Sequence, residues 1–279
     1  MVLRQSLPNE YLSSGLTPGY LLKSYVTIFL AVIRKFSFTR KDLSGLLFMF
    51  YSPFLYILGV KRVRSPLGFV YAANRETLRS FVYGFFKTYF FYLKDLETLM
   101  GKSCFSVVVD VGANIGDFTL GLANAAEKIV AVEPAKWNFQ MLKANVRANN
   151  LGNVVLVNAA ATEREGVLFL QGNASDMYVV EGDEGESVKG LPLDVIAELH
   201  GIENVDVLKI DVQGHELSAL RGMRRLLLKK AVKLLIIEVH IKRGVWVNDV
   251  VSFMERCGYR LIYNDNYLFN QPHTYFTPS

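Results

Sequence analysis

The chain has 279 residues, 51% of them hydrophobic and 20% charged, with only 8 prolines; this excludes a disordered, collagen-like or low-complexity protein and supports a large core. Cys104 and Cys257 are too few for a disulfide framework and lack the spacing of a structural zinc site, so they read as reduced thiols in a cytosolic environment. The net charge of +5 hides an asymmetry: residues 1–100 hold 13 Lys/Arg against 5 Asp/Glu, whereas residues 101–279 hold 18 against 21.

The first hundred residues also carry 21 of the 35 aromatics, including the run Phe85-Phe86-Lys87-Thr88-Tyr89-Phe90-Phe91-Tyr92. Basic charge mixed with apolar mass suits an anionic bilayer surface. Nucleic acid is not expected as a partner, because the basic residues are scattered among apolar runs and no zinc-finger, RNP-type or GXXG signature is present. Residues 24–33 form an apolar run too short to span a bilayer. Residues 43–60 are free of charge for 18 positions, at the lower edge of spanning length, but Pro53 interrupts them. Arg40 and Lys41 on one side and Lys61, Arg62 and Arg64 on the other assign no orientation. No signal-peptide pattern occurs, since the first apolar run starts beyond residue 20 and no small-residue cleavage site follows it. Residues 1–65 are therefore expected as a helical extension, packed or membrane-peripheral rather than spanning, on a cytoplasmic protein whose main domain is 66–279 with its core at 101–279.

From residue 101 strand-like and helix-like segments alternate. Strands are predicted at 106–111, 129–132, 154–157, 205–210 and 234–239, with closing strands at 259–263 and 267–269. Helices are predicted at 115–126, from 135 to before 149, 194–200, 216–228 and 246–257. Between 162 and 190 two apolar runs, 167–170 and 177–180, suggest a hairpin inserted over the sheet. Alternating βα units imply an α/β fold with a doubly wound, mostly parallel seven-stranded sheet.

In such a sheet, ligands bind at the carboxyl ends of the strands, where the winding direction reverses. After the first strand comes Asp110-Val111-Gly112-Ala113-Asn114-Ile115-Gly116. Its glycines permit close approach of a ligand, and the following helix start offers free N–H groups to a carboxylate. Glu133, after the second strand, can accept both hydroxyls of a ribose. Asn158 and Ala159, after the third, suit the edge of an adenine ring. Taken singly, a glycine turn merely turns the chain and Glu133 is a solvated loop carboxylate. Together these positions fit an adenosine with a charged amino-acid tail. A dinucleotide fingerprint would need a middle glycine where Asn114 stands, so a nicotinamide oxidoreductase ranks behind S-adenosylmethionine chemistry.

The pattern Val109-Asp110-Val111-Gly112-Ala113-Asn114-Ile115-Gly116 with Glu133-Pro134 resembles the first two motifs of class I S-adenosylmethionine-dependent methyltransferases. Leu208-Lys209-Ile210-Asp211-Val212-Gln213-Gly214-His215-Glu216, followed by Leu220-Arg221-Gly222, is similar to the fourth-strand motif of the FkbM-type methyltransferases, and Ile236-Ile237-Glu238-Val239-His240 to their fifth-strand ending. Leu193-Asp194 is similar to their TLD element, with Pro192 in place of Thr, and Gln213 stands where the family has Glu. The resemblance implies a Rossmann-like enzyme that methylates hydroxyl groups of sugars, glycolipids or polyketide-like metabolites.

Methyl transfer to an alcohol requires aligned reactants and a proton acceptor. Asp211 ends the fourth predicted strand, and Glu238 and His240, at i and i+2, share one face of the fifth. His240 and Asp211 are the leading catalytic candidates, the imidazole as base and the carboxylate orienting it or the acceptor, with Glu238 beside them. Each also has a plainer reading: Asp211 as a helix cap, and Glu238 with His240 as a satisfied buried pair. Glu216 is a substrate contact or a helix-start carboxylate, and His215 lines the cleft or the surface. Asp211, Glu238 and His240 could also supply oxygen and nitrogen ligands to a metal, but no HxH or HExxH spacing argues for one, and none is expected. The basic residues between Arg221 and Lys233 read as a solvated helix face. The rival class is a non-catalytic, membrane-attached interaction protein that retains a cofactor fold.

Overall fold

The computed structural model describes residues 62–64, 70–72, 88, 92–172, 176–265 and 272–279. The apolar segments 24–33 and 43–60, most of the aromatic run 85–92 and the strand expected at 267–269 lie outside the described residues. Arg62–Arg64, at the end of the expected helical extension, is a strand (β1) paired antiparallel with β2, Val70–Ala72. Helix α1, Leu93–Met100, ends at Gly101, whose φ of 61° is the left-handed conformation that closes a helix.

The central sheet is built from β3 (Phe105–Val111), β4 (Ala126–Val132), β5 (Val154–Val157), β10 (Val205–Ile210), β11 (Val232–Glu238), β12 (Tyr259–Asp265) and β13 (His273–Pro278). Its seven strands run in the order β12-β13-β11-β10-β3-β4-β5, and β13 alone runs opposite to the other six. From β3 the chain winds outward through β4 and β5, then returns to β10 on the other side of β3. The reversal between β3 and β10 is where such sheets open a crevice.

Helices cover both faces because the strands are apolar on both. Along β4, Ile129 and Ala131 join the core beneath α1, α2 (Asp117–Leu122) and α3 (Lys136–Ala148), whereas Val130 and Val132 join the core on the opposite face. That second core is closed by α4 (Leu193–Leu199), α5 (Glu216–Arg221), α6 (Arg224–Leu228) and α7 (Val247–Arg256). Leu234 and Ile236 against Leu235 and Ile237 repeat the alternation in β11.

Several elements depart from expectation. The helix expected at 216–228 is two, broken at Gly222, where an added Cβ would come within 1.9 Å of the Thr162 carbonyl oxygen. The strand expected to reach residue 239 stops at Glu238, so His240 sits beyond it and opens a 3-10 turn, Ile241–Arg243. The inserted hairpin, β7 (Gly166–Gln171) and β8 (Tyr178–Val180), belongs to a four-stranded sheet of order β6-β9-β7-β8 with β6 (Ala160–Ala161) and β9 (Glu186–Leu191). Among the described residues, no helix is long and apolar enough to cross a membrane.

Candidate active site

A cleft of about 630 Å³, its open mouth included, lies at the reversal between β3 and β10. Gly112, Asn114, Glu133, Ala159, Asp211 and His215 line it, and Leu170, Met177, Tyr178 and Val179 from the small sheet wall it off. Gly112 has φ of 76°, and a Cβ there would stand 1.8 Å from the Asp211 carbonyl oxygen, so glycine is what lets the end of β3 meet the end of β10. The carboxylate of Glu133 is buried and accepts hydrogen bonds from the Asn114 N–H at 2.8 Å, the Ala135 N–H at 3.0 Å and Asn138 Nδ2 at 3.4 Å. Burial pushes its pKa up to about 7, against these three hydrogen bonds, which pull it down. Asn114 has φ of 50°, and its Oδ1 is buried with no hydrogen-bond partner.

Other residues proposed for the cofactor face stand behind the cleft. The Asp110 carboxylate is fully buried, accepts from Thr119 Oγ1 at 2.7 Å and pairs with Lys209 Nζ at 3.1 Å. Ala113 is buried in the core beneath α2 and α3. Gly116 has φ of 103°, and a Cβ there would crowd Leu120 and Leu142. Asn158 Nδ2 donates to the carbonyls of Glu133 and Pro134, at 2.8 and 2.9 Å, and so fixes the loop that carries Glu133.

On the other side of the cleft a polar cluster stands behind Asp211. His240 is 2% exposed; its Nδ1 is 2.7 Å from Glu216 Oε1, and its Nε2 is 3.7 Å from Asp211 Oδ1. Glu216 Oε1 also accepts the Gly214 N–H at 2.9 Å, which anchors the carboxylate that anchors the imidazole. Burial pulls the His240 pKa down, but the Glu216 hydrogen bond and the charges of Asp211, Glu216 and Glu238 together outweigh it, leaving the pKa raised. Burial lowers the pKa of His215, which lines the cleft, against the pull of Glu216. One ligand atom each from Asp211, Glu238 and His240 lie within 4.8 Å of one another, although no motif spacing announces such a grouping. Thus the structure brings Asp211, Glu238 and His240 together. Asp211 is the member that lines the cleft, and Glu216 supports His240 from behind.

The family model described as the methyltransferase FkbM domain matches residues 110–261. The chain belongs to the FkbM methyltransferase family. Among curated proteins, it is 28% identical over 152 residues to the hexuronic acid methyltransferase AglP of Haloferax volcanii, covering 53% of this chain and 61% of that one. It is 31% identical over 183 residues to the AMB antimetabolite synthetase AmbE of Pseudomonas aeruginosa, covering 50% of this chain and 8% of that one. The crystal structure of the FkbM methyltransferase from Methylobacillus flagellatus shares the fold, with a TM-score of 0.50 and 17% identity over 84% of this chain and 60% of that one. The chain therefore spans less than two thirds of the length of each of these proteins.

Two residues of this FkbM domain that matter to the site are not among the candidates the sequence offers. Lys209 is buried beside Asp110 on the neighbouring strand, 3.8 Å from Asp211 Oδ2, with its ammonium 5.7 Å from the centre of the Phe118 ring. A lysine inside the apolar strand Val-Asp-Val-Leu-Lys-Ile was the available signal, since a buried ammonium needs a partner. His273 pairs in register with Glu238, its Nε2 3.5 Å from Glu238 Oε2; nothing near it in sequence points there.

Proposed function

We propose that this FkbM-family chain transfers the methyl group of S-adenosylmethionine to a hydroxyl oxygen of a sugar or sugar-like acceptor. Glu133 is the observation that carries this: a buried carboxylate at the end of β4, turned to the cleft beside the left-handed Asn114 and the Gly112 turn. Its oxygens suit the two ribose hydroxyls, the unpartnered Asn114 Oδ1 suits the ammonium of the amino-acid end, and Ala159 leaves room for the base. When bound, the cofactor would supply an electrophilic methyl group on a sulfonium sulfur. The acceptor class rests on the hexuronic acid methyltransferase of Haloferax volcanii, so a uronic-acid glycan is the acceptor to try first.

The side chains then divide the work. Asp211, on the cleft, receives the acceptor hydroxyl and takes its proton as the carbon–oxygen bond forms and the methyl–sulfur bond breaks. His240 lies behind Asp211 and off the cleft, so it acts as a positioning residue rather than as the base that meets the acceptor. The small-sheet wall of Leu170, Met177 and Val179 keeps water from the reacting groups. The excess of basic and aromatic residues in positions 1–100 holds the protein at an anionic bilayer, where a lipid-linked glycan would be within reach. Mass spectrometry of uronic-acid glycans incubated with protein and cofactor tests the reading. A gain of one CH₂ that disappears in Asp211→Asn supports it, and its absence across such acceptors, with cofactor bound, removes the proposed substrate class.

A further inference from the structure

A carboxylate is a weak base toward an alcohol, and the group behind Asp211 offers a stronger device. Ligand atoms from Asp211, Glu238 and His240 lie within 4.8 Å of one another, close to the separation of about 4.2 Å that two ligands on opposite sides of one ion reach when each is about 2.1 Å from it. Glu216 holds Nδ1 of His240, and a carboxylate on one imidazole nitrogen directs the lone pair of the other outward, the arrangement of metal-binding histidines. That other nitrogen, Nε2, is buried, has no hydrogen-bond partner and faces Asp211 at 3.7 Å. Glu238 Oε2 lies 3.5 Å from His273 Nε2. An imidazole with two carboxylates suits manganese better than calcium.

We infer that Asp211, Glu238 and His240 bind a divalent cation of the manganese class, with Glu216 and His273 orienting its ligands from behind. Asp211 alone of the three lines the cleft, so the ion's free position opens toward the acceptor hydroxyl. A hydroxyl coordinated there would lose its proton more readily, and the Asp211 oxygen that does not hold the ion receives that proton as the carbon–oxygen bond forms and the methyl–sulfur bond breaks. The chemical role rests on the methyl-transfer reading, whereas binding of the ion does not.

The test is titration of the full-length protein, stripped with a chelator, with Mn²⁺, followed by calorimetry and by the electron-spin resonance of free Mn²⁺. One ion should bind per chain. His240→Ala and Asp211→Asn should abolish binding, and Glu216→Gln should weaken it about tenfold to hundredfold through a residue that does not itself ligate. S-Adenosylmethionine affinity, measured on the same samples, should stay close to wild type in Glu216→Gln. No Mn²⁺ binding by the wild type, or binding untouched by both His240→Ala and Asp211→Asn in folded protein, overturns the ion site. Cofactor binding without the ion sinks this inference alone, and ion binding without the cofactor sinks the methyl-transfer reading alone.

Discussion

Glu133 is buried at the same point where the cofactor's ribose is expected, and its raised pKa gives that placement a measurable signature. An acid whose folded pKa of about 7 lies above its ordinary 4.5 favours the protonated protein, so stability is fully present below 4.5 and is lost as pH rises toward 7. The loss amounts to roughly 3 kcal/mol, and Glu133→Gln should remove most of it, which thermal melts of both proteins between those pH values will show. Binding runs the other way. On the proposed reading the ionised carboxylate accepts both ribose hydroxyls, so wild-type cofactor affinity should fall about tenfold per pH unit below 7, while Glu133→Gln stays flat. A wild-type affinity that ignores pH would detach Glu133 from the ribose. Lys209 makes a second prediction at this scale. Lys209→Met leaves Asp110 buried without its ammonium and should cost about 3 to 5 kcal/mol by chemical denaturation, and adding Asp110→Asn should recover much of that.

Among the elements, the small sheet decides access to the cleft. Arg243, in the turn after β11, stacks over the Tyr178 ring at 3.6 Å and pairs with Asp176 at 3.0 Å, tying the β7–β8 hairpin to the cluster behind Asp211. Arg243→Ala removes a cation–π contact of about 1 kcal/mol and should speed cofactor dissociation roughly fivefold in stopped-flow displacement, with little change in melting temperature. Elements built from local pattern were legible in the sequence. The β-branched runs of β3, β5 and β10, and the apolar stripe of α3, needed no knowledge of the rest of the chain. What escaped was set by contacts distant in sequence. Gly222 packs against the Thr162 carbonyl at the point where one helix gives way to the next. Strand β13 was not expected at 273–278 although Thr274, Tyr275 and Phe276 favour strands; its place between β11 and β12 is set by pairing along both of its edges. The site was half legible for the same reason. Residues at strand ends, Gly112, Glu133 and Asp211, could be placed from the pattern of strands, but which side chains turn toward the cleft and which behind it could not. Asp110 faces Lys209, Asn158 holds a loop, and His240 has left its strand.

At the scale of the whole molecule, the excess of positive charge lies in residues 1–100 and the matched FkbM domain at 110–261, so the proposed membrane attachment and the chemistry are separable in sequence. Full-length protein should sediment with vesicles containing anionic lipid and be released as salt is raised toward about 1 M, where charge interactions are screened within a few ångströms. Sedimentation that resists both salt and carbonate would replace peripheral attachment with insertion. The central claim concerns the cleft, and isothermal titration of the purified protein with S-adenosylmethionine, in wild-type and Glu133→Ala forms at pH 8, tests it most directly. The account predicts one site per chain in the wild type and an affinity at least about tenfold weaker in the variant, the equivalent of a lost charged hydrogen-bond pair. Equal affinities in the two proteins, or no heat from the wild type, would contradict it.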